Sequence, residues 1–286
     1  MKIGIIGAGR VGTTFALYLK NHKCEITGFY SLPIESSEES ANIINSEVYK
    51  NISEVVDKSD LVLICVNDDS IRDIVNQITE LNYHNKIFCH TSGVHSIEIL
   101  ESLHKNESSI MSLHPLLSIP DKVSQVDMLS GAFIIIEFKG NTNVKNIIKD
   151  KFNNVIEFDG DKRLYHAAAC ITSNYLNTLL NIAHSTFKES GLNDDDTLKV
   201  MKPLIEGSIN NFFQKGPDNS LTGPISRGDI NTVNLHLNSL FDFKELSHFY
   251  SCMGNETTEL AYRNKYINKE KQDKLLEVLN YGKNND

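Results

Sequence analysis

Three glycines close to the start of the chain, Gly7, Gly9 and Gly12, are spaced as G-x-G-x-x-G. They follow a short apolar run and precede a segment of helical periodicity, so the motif joins a strand to a helix. In such a turn the first glycine permits a tight bend, the second lets a pyrophosphate approach, and the third lets the helix pack on the strand. The alternative is that this strand–helix turn binds no ligand. We expect five residues to bind a dinucleotide here: Gly7, Gly9, Arg10, Val11 and Gly12.

The end of the second predicted strand bears on the choice between NADP and NAD. That strand, residues 24–30, leads into Ser31. After the strand, the first acidic residue is Glu35. An acid at this position would bind the ribose 2′-hydroxyl of NAD and repel the 2′-phosphate of NADP. Its absence favours NADP, with Ser31 donating a hydrogen bond at the adenosine ribose. NAD is the alternative, because no Arg or Lys follows to bind a 2′-phosphate.

Two more polar residues follow apolar strands. Asn67 comes after the predicted strand 60–66, and Thr91 directly follows the predicted strand 86–90. Ligands of open parallel sheets bind beyond the carboxyl ends of the strands. We therefore expect Asn67 and Thr91 to lie near the nicotinamide.

Two histidines and an asparagine are candidates for the substrate site. His114 follows a short strand, and His166 opens a helical stretch, residues 164–187, that contains no Asp, Glu, Lys or Arg. A histidine can supply the proton that accompanies hydride transfer, although each of these two could be structural instead. At helical spacing, His166 and Asn174 share one face with other neutral polar side chains. That face predicts a buried helix that meets a ligand, another subunit, or a satisfied seam between helices.

Arg227 lies in a segment, residues 221–229, whose Gly and Pro residues fix an irregular backbone. A cation held on such a loop can bind a substrate carboxylate or a cofactor phosphate. An ion pair with an acid of this acidic chain is the alternative. Asp229 is placed to cap the helix that follows.

Composition excludes several classes of protein. The net charge of −9 argues against nucleic acid and anionic membrane surfaces as partners. No apolar run approaches the ~20 residues that a membrane-spanning helix needs. The five cysteines form no C-x-x-C pair and the ten histidines have no ligand spacing, so we expect no metal site. Reduced, buried thiols indicate a cytoplasmic protein.

Strands and helices alternate up to residue 158, which predicts an α/β fold with a doubly wound Rossmann sheet. After a turn at residues 159–161 the pattern is helical throughout. We therefore expect an NAD(P)-binding Rossmann domain over residues 1–160 and an all-helical domain over residues 161–286. The second domain would serve substrate binding and dimerisation.

Four further motifs follow one another along the chain: His90-Thr-Ser-Gly93, Ser112-Leu-His-Pro-Leu116, Tyr165-His-Ala-Ala-Ala169 leading to Ser173-Asn-Tyr175, and Leu221-Thr-Gly-Pro-Ile-Ser-Arg-Gly-Asp229. In this order they resemble the motifs of the Rossmann-like/DUF2520 family. The family is similar to the 6-phosphogluconate dehydrogenase-like superfamily, which includes 3-hydroxyisobutyrate dehydrogenases and pyrroline-5-carboxylate reductases. The resemblance implies NADP binding, a helical second domain and homodimers, but no particular substrate.

One position departs from the pattern of the related β-hydroxyacid dehydrogenases, which use a helical lysine with an asparagine four residues later. If Asn174 corresponds to that asparagine, Cys170 stands where the lysine would be. A buried thiol is a poor substitute for an ammonium group that protonates an alkoxide. Either His166, one turn earlier, takes the role, or the chain does not carry out that chemistry.

Together these features predict an NADP-dependent oxidoreductase that transfers a hydride between nicotinamide and a small carbonyl or imine compound bearing a carboxylate. The alternative is a non-catalytic sensor of nicotinamide dinucleotides. We expect a homodimer formed through the C-terminal helices. Four residues would line the substrate cleft: His114, His166, Asn174 and Arg227.

Overall fold

A computed structural model describes residues 1–280 of the chain. These residues form eight β-strands and twelve α-helices. The strands are β1 (Lys2–Ile6), β2 (Glu25–Tyr30), β3 (Glu47–Val48), β4 (Leu61–Ile64), β5 (Ile87–His90), β6 (Ser109–Pro115), β7 (Phe133–Lys139) and β8 (Asn154–Glu157). The helices are α1 (Arg10–Asn21), α2 (Ile34–Ile44), α3 (Ile52–Lys58), α4 (Asp68–Thr79), α5 (Thr142–Lys149), α6 (Lys162–Cys170), α7 (Leu176–Glu189), α8 (Asp194–Lys215), α9 (Pro224–Arg227), α10 (Ile230–Ser239), α11 (Lys244–Arg263) and α12 (Lys269–Asn280).

The strands form one sheet in the order β3-β2-β1-β4-β5-β6-β7-β8. Neighbouring strands are parallel except β6 and β7, which are antiparallel. β4 is buried along its whole length, as expected for an apolar strand with helices on both sides. The strand order reverses between β1 and β4, and at such a point the carboxyl ends of the strands leave a crevice for a ligand. The predicted Rossmann class is confirmed.

Each face of the sheet has its own hydrophobic core. On one face, Ile5 of β1 and Leu63 of β4 pack in a cluster with Phe15 of α1. On the other face, Val62 of β4 packs in a cluster with Phe88 of β5. Side chains alternate between the two faces along each strand. The polar side chains at even-numbered positions of β5 and β6 therefore lie on the second face as well.

By its internal contacts the chain divides into two compact units, residues 1–176 and the residues from 177 onward. The second unit contains helices only, and its core includes Val233, Ala261 and Leu275. A helical C-terminal region is therefore confirmed. α6 belongs to the first unit, and the domain boundary expected at residue 160 stays a prediction.

The helical stretch expected over residues 164–187 is not one continuous α-helix. α6 ends at Cys170, a π-helical turn covers Ile171–Tyr175, and α7 begins at Leu176. A π-helical turn holds more residues than an α-helical one, so the predicted polar stripe changes direction there. The prediction that this helix is buried is also not met in the single chain, since none of residues 164–187 is buried there.

Candidate active site

The glycine turn has the geometry that its spacing predicts. Gly7 has a φ of 105°, in the region that favours glycine. A Cβ at Gly12 would overlap the carbonyl oxygen of Gly7, so the third glycine lets α1 lie close to β1. A Cβ at Gly9 would meet no atom within 4 Å, so the space over this residue is open. An open backbone here fits the approach of a pyrophosphate.

The amino end of α1 is suited to an anion. Gly9 is the N-cap residue, no side chain caps the helix, and the first turn holds no acid. The N–H groups of a first helical turn lack partners within the helix, and the helix dipole attracts negative charge. Arg10 and Val11 contribute two of these groups, and the Arg10 guanidinium donates to the carbonyl oxygen of Pro120 at 3.3 Å. These residues fit a dinucleotide.

Three further predicted cofactor residues lie beyond the carboxyl ends of strands. Ser31 follows β2, Asn67 is the N-cap residue of α4 after β4, and Thr91 follows β5. The N–H of Thr91 donates to the carbonyl oxygen of Ile64 at 3.2 Å, whereas the Asn67 side chain is exposed and makes no capping bond. Because β2, β1, β4 and β5 are consecutive parallel neighbours, these residues and the glycine turn share one edge of the sheet.

His114 and His166, the two predicted proton donors, converge on the backbone of Gly93. A Cβ at Gly93 would overlap Nδ1 of His166 and would lie 2.8 Å from Nε2 of His114. The two imidazole centroids are 5.8 Å apart, and the rings are nearly perpendicular at 80°. Gly93 lies in the loop that leaves β5, so this pair of histidines belongs to the same edge of the sheet as Thr91.

Tyr165 completes this group. Nδ1 of His114 lies 2.7 Å from the hydroxyl oxygen of Tyr165. Burial raises the pKa of Tyr165 to about 12, so the hydroxyl keeps its proton. Burial, followed by the positive charge of Lys162 and by His166, lowers the pKa of His114 to about 4, so its ring is neutral near pH 7. If the Tyr165 hydroxyl donates to Nδ1, the proton of His114 is on Nε2, beside Gly93.

His166 offers an unsatisfied ring nitrogen at the same place. Its Nδ1 is buried and has no hydrogen-bond partner among the described residues. Its Nε2 lies 3.7 Å from Sγ of Cys170, one helical turn later. Buried polar atoms are nearly always paired, so an unpaired nitrogen beside Gly93 is a position where a substrate atom or a water can bind.

A row of polar side chains crosses the sheet beneath the histidines. His90, Ser112 and Glu137 occupy directly opposite positions on β5, β6 and β7. Opposite residues project to the same face of a sheet, so the three side chains form one row. Nζ of Lys162 donates to Oγ of Ser112 at 3.2 Å, and Oε2 of Glu137 accepts from the N–H of Ile97 at 2.8 Å.

His90 anchors the loop that carries Gly93. Its Nδ1 accepts from the N–H of Ser92 at 3.1 Å, so Nε2 carries the proton and donates to the carbonyl oxygen of Ser96 at 3.3 Å. Burial, with the nearby charge of Lys162, lowers the pKa of His90 to about 3. The ring is therefore neutral, and its role is to fix the loop.

The start of α6 sets the position of three side chains at once. The Asp161 carboxylate caps the helix by accepting from the N–H of Arg163 at 2.8 Å. Lys162, Tyr165 and His166 then follow at spacings of three and four, which places them on one face of the helix. Sequence reasoning singled out His166 alone, although this spacing after a capping aspartate could have identified Lys162 and Tyr165. Ser112 entered the sequence analysis only as part of a family motif, and nothing in the sequence identified Glu137, because the two meet through the register of an antiparallel pair.

A cleft of about 600 Å³ lies between α4, the loop after β5 and the start of α6. Its lining includes Val94, which follows Gly93, and Lys162, which lies one turn before His166 in α6. Within residues 1–280, the guanidinium groups of Arg72 and Arg163 make no hydrogen bond or ion pair. The titratable residues that line the cleft are Arg72, His95, Glu98, Asp161, Lys162 and Arg163.

Asn174 and Arg227 are the other predicted substrate residues. Asn174 is an exposed residue of the π-helical turn. Arg227 belongs to the second unit, where it ends α9 and its carbonyl oxygen accepts from Nζ of Lys271 at 2.8 Å. As predicted, Asp229 caps the next helix, α10, by accepting from the N–H of Thr232 at 3.2 Å. The contacts within each unit do not test whether Asn174 and Arg227 bind a substrate, so both roles stay predictions.

Residues 1–280 contain neither a grouped set of metal ligands nor a helix suited to a membrane. No three His, Cys, Asp or Glu side chains in that range are grouped as metal ligands would be. No helix there combines the length and apolar character needed to span a membrane. Burial raises the pKa of the Cys65 thiol to about 12, so this thiol is not an activated nucleophile.

Family models match most of the chain. A model of a Rossmann-like domain matches residues 1–115, and the model "Domain of unknown function (DUF2520)" matches residues 139–257. No curated protein matches the chain in sequence.

Solved structures share the fold over nearly the whole length. A "putative NADP oxidoreductase" from Bacteroides fragilis has 24% identity and a TM-score of 0.76, covering 90% of this chain and 98% of its own. The pyrroline carboxylate reductase of Plasmodium falciparum, solved with NADP bound, has 16% identity and a TM-score of 0.60, covering 92% and 98%. A reductive aminase from Aspergillus terreus, in complex with NADPH and ethyl-5-oxohexanoate, has 12% identity and a TM-score of 0.57, covering 98% and 93%.

Proposed function

We propose that this chain, which joins a Rossmann-like domain to a DUF2520 domain, is an NADP-dependent oxidoreductase. It transfers a hydride between nicotinamide and a small carbonyl or imine compound. The main support is the convergence of His114 and His166 on Gly93, at the sheet edge that also holds the glycine turn. Reduction of a C=O or C=N bond needs a hydride carrier and groups that handle a proton at one place.

The first unit holds the cofactor in this proposal. The open backbone of Gly9 and the uncapped start of α1, with Gly7, Arg10, Val11 and Gly12, would hold the pyrophosphate. Ser31 binds the adenosine ribose, and Asn67 and Thr91 lie near the nicotinamide. When bound, the nicotinamide donates or accepts the hydride. The Plasmodium and Aspergillus enzymes, which share this fold, were solved with NADP and NADPH, and this supports NADP here; NAD is the alternative.

His114 and Tyr165 act as a neutral hydrogen-bonding pair in the proposed reaction. The Tyr165 hydroxyl donates to Nδ1, so the N–H at Nε2 of His114 is directed to the space over Gly93. A neutral imidazole can polarise a C=O or C=N bond by hydrogen bonding without giving up its proton. Nδ1 of His166 then supplies the proton that the substrate oxygen or nitrogen takes up during reduction.

The substrate carries a carboxylate in this proposal. Two cations of the first unit support this, Arg72 and Arg163, which line the cleft next to Lys162. The role expected for Arg227, the last residue of α9, stays a prediction. A guanidinium that has no partner in the protein can bind both oxygens of a carboxylate. Asn174, one π-helical turn after α6, is the proposed neutral hydrogen-bonding residue for the same substrate.

We further propose a homodimer formed through the helices. In α8, Leu198 and Leu204 are 60% and 63% exposed and Phe213 is 80% exposed, and Leu164 and Ile171 are exposed in the helical part of the first unit. Monomers rarely leave so many large apolar side chains in water. Analytical ultracentrifugation of the wild-type protein should give a particle mass twice that of one chain. The double variant Leu204→Asp/Phe213→Asp should sediment with the mass of one chain. A wild-type protein of one chain mass at micromolar concentration would contradict the dimer.

A non-catalytic sensor of nicotinamide dinucleotides is the second candidate. It is favoured by Cys170, which stands where the β-hydroxyacid dehydrogenases have a lysine if Asn174 corresponds to their asparagine. Sγ of Cys170 lies 3.7 Å from Nε2 of His166. A sensor would bind NADPH without consuming it.

The cytoplasmic location expected from the cysteine content stays a prediction from the sequence.

Turnover separates the two candidates. Purified protein is mixed with NADPH and a panel of oxo acids and cyclic imines, and the absorbance of NADPH is followed. The proposed enzyme consumes NADPH with at least one carboxylate-bearing member, and His166→Ala abolishes this, whereas His84→Ala, at an exposed histidine, does not. NADPH binding without consumption by any member favours the sensor.

A further inference from the structure

Lys162 is the one charged side chain among residues 1–280, apart from the titratable His90, that is buried. It is 3% exposed. Removing an ammonium group from water costs several kcal/mol unless close partners compensate. The closest partner is a hydroxyl, Oγ of Ser112 at 3.2 Å. The carboxylate of Glu137 interacts with Lys162 electrostatically, but within the described residues Lys162 forms no ion pair at 4 Å or less. The cost of burial is only partly offset.

The buried charge lies beside both members of the His114–Tyr165 pair. Ser112, which accepts from Lys162, precedes His114 by two positions on β6, so the two side chains share a face of the sheet. Nζ of Lys162 is also 5.2 Å from the centroid of the Tyr165 ring. The hydroxyl of that ring lies 2.7 Å from Nδ1 of His114. A positive charge here opposes a second positive charge on the imidazole.

We propose that Lys162 is a positioning residue, whose buried ammonium keeps His114 neutral and hydrogen-bonded to Tyr165. This inference rests on the function proposed for His114, but the protonation of His114 can be measured without substrate or cofactor. Lys162 acts through His114 and does not react with the substrate. Its burial near the reacting group is the reason that a destabilising charge is kept in the core.

The charges around His114 favour this assignment. α6 contributes Lys162 and His166, both of which disfavour a charged His114. β5 contributes His90, whose ring is neutral near pH 7. α4 contributes Asp68, which favours the charged ring and is the one acid among residues 1–280 that acts on it. Glu137 of β7 faces Lys162, and His95 acts on His90.

Loss of Lys162 would therefore leave burial and His166 to disfavour the charged ring, against Asp68, which favours it. His114 would gain a proton at a higher pH. A protonated ring donates from both nitrogens, so Nδ1 could no longer accept from the Tyr165 hydroxyl. The pair would then be rearranged under mildly acidic conditions in which the wild-type pair is intact.

The test is an NMR titration of the His114 ring in labelled full-length protein, assigned with His114→Gln. In Lys162→Met the midpoint of the His114 titration should rise by about one pH unit, as expected for the loss of one nearby charge. Lys162→Arg, which keeps the charge, should restore the wild-type midpoint. Where activity is measurable, its acid limb should move by the same amount. A midpoint in Lys162→Met that equals the wild-type value would overturn the proposal.

Two controls separate the charge of Lys162 from other effects. Lys162→Met/Glu137→Gln removes both charges of the pair. If the unpaired Glu137 carboxylate caused the shift, the double variant would titrate as the wild type does, and the proposal would be wrong. Lys139→Met removes an exposed ammonium on β7 that pairs with Glu101, and should leave the midpoint unchanged. Lys162→Gln, which can still bond to Ser112, serves if Lys162→Met does not fold.

Discussion

Nδ1 of His114 and the hydroxyl of Tyr165 lie 2.7 Å apart, with the two rings perpendicular at 88°. This contact joins a strand, β6, to the helix α6 that carries the second histidine of the site. It explains how a ring with a pKa of about 4 can take part in chemistry near pH 7. A neutral His114 is a hydrogen-bond donor at Nε2, and Tyr165 fixes which nitrogen carries the proton.

Removal of the Tyr165 hydroxyl should reduce turnover. In Tyr165→Phe the proton of His114 is free to move to Nδ1, so we expect kcat to fall on the order of 10- to 100-fold, with NADPH binding unchanged. The chain offers a matched control. In the second unit, Nδ1 of His236 lies 2.7 Å from the Tyr250 hydroxyl with rings at 90°. Tyr250→Phe should leave kcat unaltered, and equal losses in both variants would contradict the role of Tyr165.

A methyl group at Gly93 should disrupt the site without unfolding the protein. In Gly93→Ala the new Cβ overlaps Nδ1 of His166 and crowds Nε2 of His114, so both rings must move. Displacement of reacting groups by about 1 Å can cost on the order of 100-fold in rate. Gly131→Ala is the control, because its Cβ meets only a carbonyl oxygen at 3.8 Å. Steady-state kinetics check this, and full activity in Gly93→Ala would exclude the proposed site.

The two glycines of the opening turn should respond differently to alanine. Gly12→Ala forces the Cβ onto the Gly7 carbonyl oxygen and should destabilise the protein by about 2 kcal/mol. Gly9→Ala places the Cβ in open space, so the thermal midpoint without cofactor should be unchanged. The same methyl group occupies the room for a pyrophosphate, so NADPH affinity should fall about tenfold or more. Thermal unfolding with calorimetric titration measures both, and unchanged NADPH affinity in Gly9→Ala would remove this role.

Acid should destabilise the protein through its buried histidines. The pKa values of His114 and His90 are about 4 and about 3 in the folded chain, below the ordinary value of 6.5. Below pH 6.5 the unfolded chain therefore binds protons that the folded chain does not, and stability is lost as pH falls toward those values. By pH 4.5 the loss should be about 2 kcal/mol for each histidine.

Denaturant unfolding at pH 7 and pH 4.5 checks this prediction. The decrease in the free energy of unfolding between the two pH values should be smaller in His114→Gln than in the wild type, because the variant lacks one of the two groups. His84→Gln, at an exposed histidine, should behave as the wild type does. An equal decrease in all three proteins would mean that His114 is not buried in its neutral form.

The arginines of the cleft should affect substrate binding more than catalysis. Arg72→Gln and Arg163→Gln each remove a guanidinium that has no partner among the described residues. For a carboxylate-bearing substrate we expect KM to rise about tenfold, with kcat nearly unchanged. Arg263→Gln, which ends α11 in the second unit, is a control for loss of one positive charge. If the KM of a neutral analogue rises as much as that of the carboxylate, these arginines do not bind the carboxylate.

The Rossmann sheet could be predicted because its signals are local. The apolar run of β4 specifies a buried strand by itself, and the glycines after β1 specify the turn that they form. The cap that Asp229 makes on α10, in the second unit, is local in the same way. The π-helical turn at residues 171–175 could not be predicted, because an inserted turn leaves no mark in the side-chain spacing. This turn changes the direction of the polar stripe that was expected along residues 164–187.

The candidate site could be predicted only in part. His114 and His166 were identified one by one, but their convergence on Gly93 depends on how α6 packs against β6. Lys162 had no visible role in the sequence, since its partner Ser112 is fifty positions away. Contacts between such distant residues follow from strand register and helix placement, which a single sequence does not specify.

Calorimetric titration of the purified protein with NADPH, and separately with NADH, is the measurement on which the oxidoreductase assignment most directly depends. We predict saturable binding of NADPH, tighter than that of NADH, and weaker in Gly9→Ala although that variant stays folded. If neither dinucleotide binds the folded wild-type protein, the assignment of the glycine turn is wrong, and with it the proposed hydride transfer.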